Sequence, residues 1–291
     1  MTSQASSPRQ HTTFRADAVV LPPVWRAAAG ALKVFARGSL LFMVAKLLFS
    51  DNPPTNPLAQ MRMFAGLFLA PEGAAWCIAR AFAARLRVED GTIALEQRER
   101  RTEIRVAAVA AVEPWMIPLP GVGLCLRLES GRRFSGIVLA NPVGFVDALI
   151  KQGGRPSLAN ALAGRAVAYA RMTNRYGILD HPVLKFVVFP LLPAVPMFRL
   201  HQLITYGGTF GEYQTFGLQA YLIALAIWWV SWAIGLVLFA AVLRACIEAG
   251  TLLLLLRPAW VTGGRRRLEV LGRVIFYAGV PTWLLIRFWP W

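Results

Sequence analysis

The sequence predicts a polytopic α-helical membrane protein of about five spans, into which one small β-rich cytoplasmic domain with a C-terminal helix is inserted. Three observations lead there. Of 291 residues, 56% are hydrophobic and only 16% charged, with a mean hydropathy of +0.50, whereas soluble domains carry nearer a quarter charged residues. The long apolar runs lie before residue 85 and after residue 180. Between them, Arg85 to Gly153 alternates apolar and polar side chains in short runs separated by Gly, Asp and Pro turns, the period of half-buried strands.

The net charge of +16, from 31 Lys+Arg against 15 Asp+Glu, is spread beside apolar spans and forms no basic domain. A nucleic-acid partner is therefore not expected, and the arginines read as markers of cytoplasmic loops on the anionic membrane face. Cys77, Cys125 and Cys246 are too far apart for a CxxC site, and His11, His181 and His201 show no HExxH spacing, so no metal and no cofactor is expected. No P-loop, nucleophile elbow or paired-carboxylate constellation is present, and no catalytic residue is assigned.

Residues 1–23, rich in Ser, Thr and Gln, lack an early apolar core and read as a disordered cytoplasmic tail. Residues 24–84 read as an N-terminal membrane hairpin. In its first arm, Arg26, Lys33 and Arg37 share a helical stripe with Gly30, so Val24 to Ser50 is a marginal span entering from the headgroup region. Asp51 to Pro57 carries three prolines and no Lys or Arg, which marks an extracytoplasmic turn. Met63 to Ala79 is the return arm. Arg37 lies 13 residues before Ser50 and Glu72 lies 11 after Met61; at about 1.5 Å per residue the two sit at similar depth, where they can pair.

Residues 85–153 form the cytoplasmic domain. Glu89-Asp90-Gly91 and Ser130-Gly131 read as turns; Thr92 to Gln97, Thr102 to Val106, Leu124 to Leu128 and Arg132 to Leu139 read as strands. Asn141-Pro142 caps a helix through Phe145, Leu149 and Ile150. Residues 154–180 read as an interfacial connector, and residues 181–291 as a C-terminal membrane bundle. There His181 to Leu200 carries four prolines, Leu218 to Leu243 is the clearest span, and Leu268 to Ile286 is the last. Arg244 and Glu248, and again Glu269 and Arg273, are four apart on their helices. The glycine-aromatic stretch from His201 to Gly217, holding His201 and Glu212, reads either as an interfacial aromatic belt or as a re-entrant loop facing a cavity.

Two membrane segments followed by the Glu89-Asp90-Gly91 turn, Ile93 to Leu95, Thr102 to Val106, Ala108 to Trp115 and Leu124 to Leu128 resemble the bacterial pleckstrin-homology-like domain of small membrane proteins. The likeness covers about a quarter of the chain. It implies a PH-like split barrel capped by a helix, serving as a binding or assembly module without catalytic residues.

The expectation is a non-enzymatic protein of the bacterial inner membrane, with its N-terminus and the 85–153 domain cytoplasmic and its C-terminus extracytoplasmic. Its partners are membrane lipids, anionic ones first, or a protein within a membrane assembly. Arg98, Arg100, Arg101, Arg105, Arg132 and Arg133 are the candidates for headgroup or partner contact. Arg37, Glu72, His201 and Glu212 are the intramembrane polar candidates. Two alternatives remain at this point: a transporter or channel using Glu72 and the 201–217 stretch, and a membrane-embedded lipid-modifying enzyme in which His181, His201 and Glu212 converge.

Overall fold

The computed structural model describes residues 13–51, 56–115, 119–158, 180–254 and 261–288. Its helices are α1 (Pro23–Phe49), α2 (Pro57–Phe64), α3 (Ala70–Ala81), α4 (Pro142–Lys151), α5 (Leu191–Tyr206), α6 (Gly211–Leu254) and α7 (Val261–Phe288). Its strands are β1 (Phe14–Val20), β2 (Ala83–Glu89), β3 (Thr92–Gln97), β4 (Arg100–Arg105), β5 (Val109–Pro114), β6 (Gly123–Leu128) and β7 (Arg133–Leu139). The chain divides into two compact units, residues 1–34 with 71–176 and residues 35–70 with 177–291.

The first unit holds one antiparallel seven-stranded sheet in the order β4-β3-β2-β1-β7-β6-β5. Residues 14–20, expected within a disordered tail, form β1, which lies in the middle of that order. The strand pattern is present in its residues: Phe14, Ala16 and Ala18 alternate with Arg15 and Asp17. It pairs with β2 from Phe14↔Val88 to Val19↔Ala83 and with β7 at Ala18↔Leu139. Residues 1–12 lie outside the described chain.

The helical excursion is thus inserted between β1 and β2. The chain leaves the sheet after Val20 and returns at Ala83, and the two ends are joined. Val20 N–H donates to the Phe82 carbonyl at 3.0 Å. The Gln97 side-chain amide donates to the Val20 carbonyl at 3.4 Å and to the Phe82 carbonyl at 3.2 Å. Close approach needs glycine at Gly136, where φ is 102° and a Cβ would meet the Leu21 carbonyl oxygen at 2.4 Å.

Alternate residues of the strands fill the core: Leu86, Val88, Ile93, Val109, Leu124, Leu126 and Ile137 are fully buried. Helix α4 adds Phe145 and Leu149, one turn apart on its inner face. The Asn141 side chain accepts from Gly144 N–H at 2.9 Å and Pro142 occupies the first turn, as the sequence suggested. Of the connector expected at 154–180, Leu158 is buried in this core, and residues 159–179 lie outside the described chain.

The second unit is helical. Leu40 and Met43 of α1 pack with Phe64 of α2 and Ile234 and Leu238 of α6. Ser39 Oγ donates to the Ala36 and Leu67 carbonyls, both at 2.8 Å. A π-helical turn, Ala65–Leu69, joins α2 to α3, and another, Leu184–Val188, precedes α5.

Two helical stretches, Leu184–Tyr206 and Gly211–Thr251, are long and apolar enough to cross a membrane, and they mark a membrane-associated protein. The expected count of about five spans is not met among the described residues. The reason is charge: Arg26, Lys33, Arg37 and Lys46 recur through α1, Arg62, Glu72 and Arg80 through the α2–α3 arm, and Arg265, Arg266, Arg267, Glu269 and Arg273 through the first half of α7. These helices form, but they leave no long uncharged stretch.

The 201–217 stretch, expected as an interfacial aromatic belt or a re-entrant loop, is largely helical. His201–Tyr206 completes α5, Gly207 (φ 73°) caps it in the left-handed region, and α6 begins at Gly211. Gly217, with φ 84° and ψ 176°, then breaks the helical geometry within α6.

Candidate functional site

The six arginines singled out by sequence all belong to the sheet-bearing unit. Arg98 sits in the β3–β4 turn with φ 52°, Arg100, Arg101 and Arg105 stand on β4, and Arg132 and Arg133 lie at the β6–β7 turn. β4 is an edge strand whose side chains are exposed except for Ile104, and charge on an edge blunts unwanted strand pairing. Arg101 is held by Glu103 at 2.7 Å. The other five make no ion pair among the described residues. They do not form one patch, because β3, β2 and β1 separate β4 from β7 in the sheet order.

A larger feature of the same unit was not anticipated. An open groove of about 1030 Å³ is walled by Asp17 to Val19 of β1, Ala83 to Arg85 of β2, Glu96 and Arg98 around the β3–β4 turn, Lys33 of α1 and Trp76, Ala79 and Arg80 of α3. Its construction follows from the insertion. α3 ends at Ala81 and β2 starts at Ala83, so Arg80 and Arg85 flank one short junction. The register sets Asp17, Arg85 and Glu96 opposite one another across β1, β2 and β3, on one face of the sheet.

Four cations and two carboxylates therefore line the groove. Lys33 Nζ donates to the Pro120 carbonyl at 2.9 Å. Glu96 is 3.8 Å from Arg87. Arg80, Arg85 and Arg98 make no ion pair among the described residues. Guanidinium groups in that condition are fixed donors for a carboxylate or phosphate ligand. Nearby, the Arg26 guanidinium lies 4.5 Å from the centroid of the Trp115 ring.

Sequence reasoning identified Arg98 but passed over Arg80, Arg85 and Asp17. The available signal was the alternation in Phe14 to Ala18, which makes Asp17 a strand residue facing away from the core.

The intramembrane candidates are dispersed. Glu72 belongs to the first unit and Arg37 to the second; neither makes an ion pair among the described residues, and Glu72 Oε2 is buried without a hydrogen-bond partner. In the second unit, His201 Nδ1 is 3.2 Å from Thr205 Oγ1, and its ring lies 5.3 Å from Trp228.

Glu212 instead meets Gln202, which is fully buried. Gln202 Nε2 donates to Glu212 Oε2 at 2.6 Å, and Glu212 N–H donates to Gln202 Oε1 at 3.0 Å. That reciprocal pair joins the end of α5 to the start of α6. It satisfies an orphan N–H at the α6 N-terminus and places a carboxylate at the positive end of the helix. His181 is exposed. His201 and Glu212 thus have separate partners and share no hydrogen bond.

Among the described residues, no three His, Cys, Asp or Glu side chains are grouped to hold a metal ion. No family model, no curated protein and no solved structure matches the chain.

Proposed function

We propose that this is a non-enzymatic membrane protein whose sheet-bearing unit binds anionic lipid headgroups at the membrane surface and so organises or regulates a membrane assembly. The observation that carries this reading is the set of arginines without acidic partners: Arg98, Arg100, Arg105, Arg132 and Arg133. Near an anionic leaflet each such residue contributes about 1 kcal/mol. The apolar helices of the second unit hold the chain at that leaflet. The sheet of seven antiparallel strands, interrupted after β1 by the helical insertion and followed by α4, is the unit this reading treats as the binding module. The bacterial inner membrane with the sheet facing the cytoplasm is the location this reading adopts, since the positive-inside rule puts arginine-rich segments there.

The transporter and enzyme readings have less support. Glu212 and Gln202 are engaged with each other, and His201 turns to Thr205 and Trp228.

The test is lipid and partner identification on the full chain in mild detergent, beside the charge-reversed Arg100→Glu/Arg101→Glu/Arg105→Glu variant. Wild type is expected to retain phosphatidylglycerol or another anionic lipid over phosphatidylcholine, and the variant to lose most of that preference. An unchanged lipid and partner profile in the variant rejects the proposal.

A further inference from the structure

We infer that the groove beside Arg80, Arg85 and Arg98 is a discrete site for one phosphate-bearing anion, with the headgroup of an anionic phospholipid as its ligand. This rests on the reading of the unit as a lipid-binding module and deepens it from a diffuse basic surface to a single pocket.

The argument begins with charge. Lys33, Arg80, Arg85 and Arg98 face Asp17 and Glu96, leaving the groove with two positive charges in excess. A phosphomonoester carries about −1.5 to −2 near neutral pH, so one such group balances the excess.

The second step is which cations are available. Lys33 already donates to the Pro120 carbonyl and Glu96 already lies beside Arg87. Arg80, Arg85 and Arg98 have no such partner among the described residues. Each guanidinium presents a planar fork that matches two phosphate oxygens, a geometry a lysine does not offer. They come from three different places, the last turn of α3, the start of β2 and the β3–β4 turn, so an anion in the groove is approached from several sides.

The third step is size and setting. About 1030 Å³ lies at the upper end of ordinary ligand clefts, about 300–1,000 Å³, and so has room for a phosphate with its glycerol. Trp76, on the groove wall, is 65% exposed. An amphipathic indole left in that state is typical of side chains that rest at headgroup depth. A lipid phosphate therefore fits the wall better than a freely diffusing one. Asp17 and Glu96, opposite Arg85 in register, oppose any anion, so retention rests on the two positive charges in excess and grows with the negative charge the headgroup brings. The expected ranking is phosphatidic acid above phosphatidylglycerol above phosphatidylcholine.

The test uses the full chain in neutral detergent, titrated calorimetrically with water-soluble dibutyryl phosphatidic acid, dibutyryl phosphatidylcholine and inorganic phosphate. Wild type is expected to bind the phosphatidic acid saturably and at least tenfold more tightly than the other two. Arg80→Gln/Arg85→Gln and Arg98→Asn are each expected to weaken that binding tenfold or more. Arg98→Asn is the variant whose folding is safest, since asparagine tolerates the positive φ of that turn; a melting curve matching wild type verifies it.

Unchanged affinity in Arg98→Asn and in the double variant overturns the site. Inorganic phosphate binding as tightly as the lipid overturns the headgroup assignment and makes the ligand a soluble phosphate. The Arg100→Glu/Arg101→Glu/Arg105→Glu chain separates the two proposals, because it is expected to bind dibutyryl phosphatidic acid as wild type does. If only that variant loses lipid, the surface reading stands and the groove fails.

Discussion

Both units bury an apolar core, but they differ in what lies buried beside it. In the sheet core the buried side chains are aliphatic or aromatic, and the charged residues of edge strand β4 stand outside. The helical unit adds polar side chains to its apolar core and exposes apolar ones along its helices. Ser39, Gln202, Thr251 and Arg265 are buried, while Leu203, Ile204, Phe216, Leu222 and Ile223 are exposed. Helices long and apolar enough to cross a membrane thus meet a different demand from the sheet. Water rewards an apolar core, whereas within lipid the polar groups are the ones that must find partners inside the protein. The buried polar groups of the helical unit have found them: Gln202 with Glu212, Thr251 with the Ile247 carbonyl, and Arg265 with Glu248 and Glu269.

The most direct way to break this comparison is the same truncation in both units. Leu86→Ala removes a fully buried side chain from the sheet core and is expected to cost about 3–4 kcal/mol. Leu222→Ala, at a position 50% exposed, should change stability by no more than about 0.5 kcal/mol. Chemical unfolding of the purified chain, followed at both sites, reads the difference. Equal costs would mean that Leu222 packs against protein and that the apolar surface of α6 is not a lipid face.

Next in size is Arg265, 1% exposed, with Glu248 at 3.3 Å and Glu269 at 3.2 Å. Arg265→Ala strands the Glu269 carboxylate and leaves Glu248 to Arg244 at 2.7 Å, and the expected loss is about 3 kcal/mol, the low end for a broken buried pair, because both acids keep some exposure. Adding Glu269→Gln, which removes the stranded charge, should restore more than half of it. A thermal melt that does not recover in the Arg265→Ala/Glu269→Gln variant would show that packing, not charge, is what Arg265 supplies.

The parts of the fold that could be read from sequence are those whose signals are local. The Asp90-Gly91 turn, with φ of 50° and 69°, the Ser130-Gly131 turn and the Asn141 cap lie where residue types alone put them. Arg244 and Glu248, four apart, do pair, at 2.7 Å. Glu269 and Arg273, equally spaced, do not: Glu269 goes to Arg265, and Arg273 goes to Asp180 at 2.5 Å. Helical spacing permits a pair, but tertiary neighbours choose it. β1 was hidden because its alternation follows a polar stretch and its partner β2 begins 63 residues after Val20. The groove was hidden for the same reason, since Asp17, Arg80 and Arg98 become neighbours only once the sheet has closed.

A smaller effect probes how the sheet tolerates that long insertion. Gln97 ties the exit at Val20 to the return at Phe82. Gln97→Leu keeps the bulk and removes both donors, for an expected loss of about 1–2 kcal/mol. Hydrogen exchange should then quicken at Val20 N–H, which donates to Phe82, ahead of the β5–β6 ladder. Uniform quickening across the sheet would mean that the junction is not a local weak point.

The smallest expected effect is a pH response at Cys125, which lies on β6 of the sheet-bearing unit. Burial pushes its thiol pKa up, the Glu113 carboxylate adds to the rise, and Arg133 partly offsets it. Where the folded pKa exceeds the unfolded one, the folded state keeps a proton that the unfolded state has lost. Stability is therefore unaffected below the ordinary thiol range and declines as pH rises through it. Cys125→Ser should flatten that decline between about pH 8 and 10. Because the thiolate is the reactive form, Cys125 in the folded chain should alkylate more slowly at pH 8 than it does after unfolding. Glu113→Gln should speed the folded reaction modestly, by removing one of the two causes of the raised pKa while leaving burial in place. If Glu113→Gln leaves the rate unchanged and Arg133→Gln also has no effect, burial alone sets the thiol, and the charges on this face of the sheet are too well screened by water to act on it.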